Sequence, residues 1–119
     1  MPWIYDQSNG ELRYNGALIG KGYAGSGLGK NNPKMEHVTE VGPIPRGVYQ
    51  IGPSYKSGTG LGPVVMDLDP VGHNALGRTL FRIHGDNGTG TASEGCIIMP
   101  RSVREQVANS QDKSLEVVE

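Results

Sequence analysis

The chain contains one cysteine, Cys96, and three histidines, His37, His73 and His84. A thiol with an ordinary pKa near about 8.5 is only a few per cent thiolate at neutral pH, so it becomes a working nucleophile only beside a group that takes or balances its proton. His84 is the candidate for that group. In Phe81-Arg82-Ile83-His84 apolar and polar residues alternate, which sets His84 on the face opposite Phe81 and Ile83, toward a cleft or solvent. Cys96 stands twelve positions later at the head of the apolar run Ile97-Ile98-Met99, across small residues that let the two strands become neighbours. Adjacent strands lie about 4.8 Å apart, within reach for a thiol and an imidazole on one face. Gly95 permits a tight turn, so that the amides of Gly95 and Cys96 can converge on one developing oxyanion, an arrangement suited to acyl transfer. The second ring nitrogen of His84 has two candidate partners, the Gly85 carbonyl and Asp86.

Each feature has a plainer reading. A free cysteine ahead of Ile-Ile-Met is a common core residue, and a histidine at a strand end a common surface one. Their joint occurrence around Gly-rich turns, in a chain so poor in both types, weighs toward chemistry. His37 and His73 add no H-E-x-x-H or C-x-x-C spacing, so neither a metal nor a cofactor is expected. Gly25-Ser26-Gly27-Leu28-Gly29-Lys30 fails as a phosphate loop because Asn31 follows Lys30, and it reads instead as a wall of a cleft. Tyr23 and Tyr49 are candidates to line that cleft with aromatic surface.

The elements that must hold these groups are short. Runs of β-branched and aromatic residues flank Asn9-Gly10 and Asn15-Gly16, the strongest local hairpin signals, and predict a β-meander over the N-terminal third. Val48–Ile51, Val64–Leu68, Leu80–His84, Cys96–Met99 and Leu115–Val118 read as further strands. One helix is predicted from about Ser102 to Asn109, where Ser102 and Glu105 form a capping-box pattern and Val103 and Val107 share a face. Ala24–Gly47 and Gly88–Thr91 carry no regular pattern. The fold class expected is mainly β, a compact antiparallel sandwich or sheet-rich domain with one short helix after Cys96.

The chain's 119 residues fit a single domain, 1–119. Lys and Arg together number 11 against 12 Asp and Glu, a net charge of -1, so there is no basic field to draw nucleic acid or an anionic membrane. A single cysteine allows no internal disulfide. Nothing from Met1 to Asn9 has the charged and apolar regions of a secretory signal, and the chain is expected to be made in the cytoplasm without one.

His84-Gly85 followed by Ser93-x-Gly95-Cys96-Ile97 resembles the signature of the L,D-transpeptidase (YkuD-like) catalytic domain. Gly42-Pro43-Ile44-Pro45-x-Gly47-x-Tyr49-x-Ile51 and Phe81-Arg82-Ile83-His84-Gly85 are similar to the short subgroup of type VI secretion L,D-transpeptidase effectors. The resemblance implies a β-rich fold with Cys96 as acyl-accepting nucleophile, His84 as base, the Gly85 carbonyl as partner of the imidazole, and Ser93, Gly95 and Cys96 lining the oxyanion region. Glu94 stands where larger transpeptidases commonly carry His, and Ile98 where they commonly carry Arg. Arg82 and Arg101 are candidates to supply a positive charge to a peptide carboxylate.

The implied activity is acyl transfer on peptidoglycan tetrapeptide stems, as L,D-carboxypeptidase or as exchange of the terminal D-alanine. A leaderless chain with an extracytoplasmic substrate implies delivery by a secretion machine to the periplasm of a target bacterium, with a cognate immunity protein as partner; a monomer is expected. The rival reading is a non-catalytic β-domain that binds glycan or peptide in a phage or secretion particle.

Overall fold

The computed structural model describes residues 2–56, 63–86, 90 and 93–119. Most of the irregular stretch expected at Gly88–Thr91 lies outside them. Nine strands form one sheet: β1 (Trp3–Asp6), β2 (Glu11–Tyr14), β3 (Ala17–Lys21), β4 (Tyr23–Ala24), β5 (Gly47–Ile51), β6 (Met66–Val71), β7 (Phe81–His84), β8 (Ile97–Ile98) and β9 (Ser114–Val118). A single α-helix, α1 (Arg101–Asn109), follows Cys96. The molecule is therefore mainly β with one short helix, as expected.

The N-terminal meander forms where the Asn-Gly pairs predict it. Asn15 and Gly16 have φ of 51° and 82°, the doubly left-handed turn that suits the twist of a two-residue hairpin, and Tyr14 pairs with Ala17 across it. The strand order is β3-β2-β1-β9-β5-β6-β7-β8-β4. Because β3 and β4 are separated only by Gly22 yet stand at the two ends of that order, the sheet curls until it nearly closes on itself. Most neighbours are antiparallel, but β1 runs parallel to β9 and β7 parallel to β8.

Alternation sorts the side chains. Trp3 and Tyr5, Tyr49 and Ile51, Phe81 and Ile83, and Leu115 and Val117 point inward and are buried. On α1, Val103 and Val107 are buried on the shared face, and Val103 seats on Gly20, where any Cβ would lie 2.4 Å from its methyl group. Ser102 does not cap this helix: the N-cap is Pro100, whose carbonyl accepts from the amides of both Val103 and Arg104.

The long stretch between β4 and β5 is irregular apart from short 3-10 turns at Gly27–Gly29 and Pro33–Met35. It is nevertheless tied down. Arg46 forks onto Glu36, with Nη2 2.6 Å from Oε2, and Gln7 donates to the Ile44 carbonyl from beneath. Ile44 is fully buried.

Closure at Gly22 is steric. A Cβ on Gly22 would sit 1.6 Å from the Ile98 carbonyl oxygen, so the backbones of the β3–β4 segment and β8 meet with no room for a side chain. Gly22→Ala is expected to cost more than about 2 kcal/mol of unfolding free energy in urea titrations. Gly16→Ala, which meets nothing within 4 Å but keeps a φ of +82°, should cost only about 1 kcal/mol. Equal losses would show that closure at Gly22 is not a tight constraint.

Candidate active site

His84 is the last residue of β7, and Cys96 immediately precedes β8. The parallel register sets Ile98 across from His84, and the His84 carbonyl accepts from the Met99 amide at 3.1 Å. Cys96 thus lies two positions back on the approach to β8, beside Arg82, whose backbone is among the groups that pull its thiol down. The thiol itself points to the Leu80 carbonyl, 3.6 Å away. Both Cys96 and His84 border one cleft of about 480 Å³, with Glu40, Arg78, Arg82 and Glu94 around them. Among the described residues no hydrogen bond joins Sγ to the imidazole.

The imidazole is 2 % exposed, so it meets the cleft only at an edge and does not stand in solvent. Its Nδ1 lies 2.9 Å from the Gly85 carbonyl. A carbonyl only accepts, so Nδ1 carries the proton and the neutral ring keeps its lone pair on Nε2. Asp86, the other candidate, instead accepts from the Tyr23 hydroxyl at 2.7 Å. Gly85 is small for a packing reason: a Cβ there would lie 2.9 Å from Nη2 of Arg104, which is itself buried and donates to the Met99 and Pro63 carbonyls.

Ser93 fastens the cysteine turn. Its buried Oγ accepts from the Gly25 and Gly95 amides at 2.9 and 3.0 Å and donates to the Cys96 carbonyl at 2.6 Å. The Gly95 amide is therefore already engaged inside the turn. Gly95 itself has φ +135°, and a Cβ on it would lie 2.6 Å from Nη2 of Arg78.

Arg78 is the cleft residue that the sequence does not single out. It is 6 % exposed, and its guanidinium donates to the carbonyls of Glu36, Pro43, Gly42 and Glu94, the last three at 2.9, 3.0 and 3.2 Å. Its guanidinium carbon also lies 5.2 Å from the Phe81 ring centroid. No motif marks such a residue, because its partners are backbone atoms and carry no sequence signal.

The remaining candidates fall in different places. Arg82 borders the cleft, with its Nε 3.2 Å from Asp67 Oδ1. Arg101 lies on the exposed side of α1, paired with Glu105 at 3.7 Å. Tyr49 is fully buried: its hydroxyl donates to the Pro45 carbonyl at 2.8 Å and its ring packs edge-on to Phe81, so it supports the floor of the cleft and offers no surface to it. Tyr23 lies under Lys30, whose Nζ is 4.3 Å from the ring centroid. His73 is bound into the β5 region, with Nε2 2.9 Å from the Val48 carbonyl and Nδ1 accepting from the Ala75 amide.

The model of the Tlde1 domain matches residues 19–119. The chain belongs to that family, a family of type VI secretion effectors. No curated protein and no solved structure matches it. The match takes in the whole Tlde1 cleft, from Glu40 through Arg78 and His84 to Cys96.

Electrostatics in the Tlde1 cleft favour two neutral partners. Burial pushes the Cys96 thiol up, against the opposing pull of the Arg82 amide and the Arg82 and Arg78 charges. Burial pushes the His84 imidazole down, helped by the charges of Arg104 and Arg82 and opposed by the Gly85 carbonyl. The resting form is thus thiol and neutral imidazole. Iodoacetamide labelling of Cys96 should accelerate about tenfold per pH unit from pH 7 to 8.5, because the thiolate fraction is still far from saturation. A rate already flat between about pH 5 and 8 would mean a preformed thiolate–imidazolium pair and would contradict this assignment.

Proposed function

We propose that the protein is a cysteine acyl-transfer enzyme acting on peptidoglycan tetrapeptide stems, and that it works as an antibacterial effector in the periplasm of a target bacterium. The observation that carries the reading is the shared cleft of Cys96 and a histidine whose Nδ1 is committed to the Gly85 carbonyl. That commitment leaves Nε2 as the only ring atom able to take a proton. Membership of a type VI effector family supports the biological setting, since such effectors usually pair with an immunity protein.

In the proposed reaction Sγ attacks the carbonyl of the third stem residue, typically meso-diaminopimelate, while Nε2 of His84 takes the thiol proton. The tetrahedral oxyanion is met by the amide of Cys96, with the turn held by Ser93; the Gly95 amide, bound to Ser93 Oγ, contributes to the shape of the turn. Collapse breaks the bond to the terminal D-alanine, whose amine leaves with the proton from His84, and a thioester on Cys96 remains. Water then yields the tripeptide, a reaction of L,D-carboxypeptidase type, whereas a D-amino acid yields the exchanged stem. In either case His84 removes a proton from the acceptor, and the thiol regains one as the thioester breaks.

The test is mass spectrometry of purified tetrapeptide muropeptides after incubation with wild type, Cys96→Ala and His84→Gln. Wild type should release D-alanine; Cys96→Ala should release none, and His84→Gln should fall by about a hundredfold or more. Unchanged muropeptides with folded wild type, with and without added D-amino acid, would remove the enzymatic reading.

A further inference from the structure

Beneath the cysteine turn lies a charge that the reaction just proposed does not use. Arg78 is buried, and among the described residues none of its hydrogen bonds goes to a carboxylate: its four acceptors there are backbone carbonyls on two separate stretches of chain, Glu36 with Gly42 and Pro43, and Glu94. The peptide joining Glu94 to Gly95 is consequently clamped at both ends. Its carbonyl accepts from Arg78 Nη2 and its N–H donates to Ser93 Oγ. With both ends bonded that peptide plane resists rotation, and on the far side of Gly95 the Cys96 carbonyl accepts from Ser93 Oγ, so the turn is restrained on both sides of the Cys96 amide. Gly95 carries no side chain where the guanidinium packs, so the cation lies directly against the turn. The same arginine borders the cleft that holds the thiol.

We propose that Arg78 is a positioning residue for the acyl-transfer site, holding the Cys96 turn in its reactive geometry and supplying the buried positive charge against which the Cys96 thiolate and the oxyanion develop. The proposal rests on the acyl-transfer reading of the cleft for its functional half. Its electrostatic half concerns Cys96 alone. Other charges also act on the sulfur, Arg82 from β7 and Glu94 from the turn itself, while Glu40 and the neutral imidazole of His84 line the same cleft. Arg82 pairs with the Asp67 carboxylate, whereas Arg78 forms no ion pair among the described residues and feels the Glu36 carboxylate only at longer range.

Two variants separate charge from shape. Arg78→Gln removes the charge, and Arg78→Lys keeps it while losing the planar fork that reaches several carbonyls at once. Iodoacetamide is the probe, used between pH 7 and 8.5 on protein shown to be folded by circular dichroism. Arg78→Gln should slow labelling of Cys96 by about threefold to tenfold, the effect of raising the thiol by about half to one pH unit. A residue that merely braced the turn would give the opposite sign, because a loosened turn exposes the sulfur and speeds labelling. Unchanged or faster labelling of folded Arg78→Gln therefore overturns the proposal.

Arg78→Lys should label within about twofold of wild type yet release D-alanine at least tenfold more slowly, since a point charge does not hold the peptide plane. Should Arg78→Gln not fold, Arg78→Lys decides the matter, and slowed labelling or wild-type release in that variant overturns the proposal. A wild-type protein that releases no D-alanine removes the enzymatic reading, while the labelling comparison still shows whether Arg78 governs Cys96.

Discussion

The guanidinium of Arg78 is the point on which the two halves of the cleft depend. Burying a cation without a carboxylate is expensive unless every N–H finds an acceptor, and a hydrogen bond from a charged donor contributes about 1.5–3 kcal/mol. Arg78 places its four terminal N–H groups on four carbonyls, and in doing so ties the stretch from Glu36 to Pro43 to the turn that carries Cys96. Burial pushes the Arg78 guanidinium down, but arginine begins so high that it stays charged. A carboxylate partner would have satisfied the charge in one place. Carbonyl partners distribute it across two stretches of backbone, adding to the Gly25–Ser93, Arg46–Glu36 and Gln7–Ile44 bonds that give an irregular segment of more than twenty residues a defined shape.

Arg104 does the corresponding work on the histidine side. It reaches from α1 to the Met99 and Pro63 carbonyls and presses against Gly85, so the carbonyl that orients His84 is backed by a buried cation. The helix is in turn seated on β3 through Val103 over Gly20, two residues from the closure at Gly22. Barrel closure, helix docking and the orientation of the imidazole are therefore one packed sequence of contacts.

Much of this is readable from the sequence, and what is not has a physical reason. Asn15-Gly16 announces its hairpin because both residues tolerate the left-handed region, and Val103 with Val107 announces a buried helical face. The pairing of β7 with β8 follows from the short, small-residue link between His84 and Cys96. Three things escape. Arg78 and Arg104 look like surface charges, since a residue that bonds backbone carbonyls leaves no pattern in neighbouring side chains. Tyr49 looks like a cleft aromatic but is core, because its position on the inward face of β5 is decided by the sheet's curl. The near-complete burial of His84, next to Gly85 and the Arg104 side chain that reaches in from α1, is not encoded by strand alternation.

The choice of a carbonyl as partner for the imidazole bears on how such a cleft handles a proton. A carboxylate at Nδ1 would stabilise the imidazolium strongly and, beside a buried thiol, favour a standing ion pair. The Gly85 carbonyl fixes the ring and its tautomer while raising proton affinity only enough to oppose burial in part. Arg104 and Arg82 push the same way as burial. An imidazole held so takes a proton only when negative charge develops next to it and gives it up readily afterwards. In the proposed acyl transfer that is the sequence required, because the proton removed from the thiol must be returned to the departing amine before the acceptor arrives.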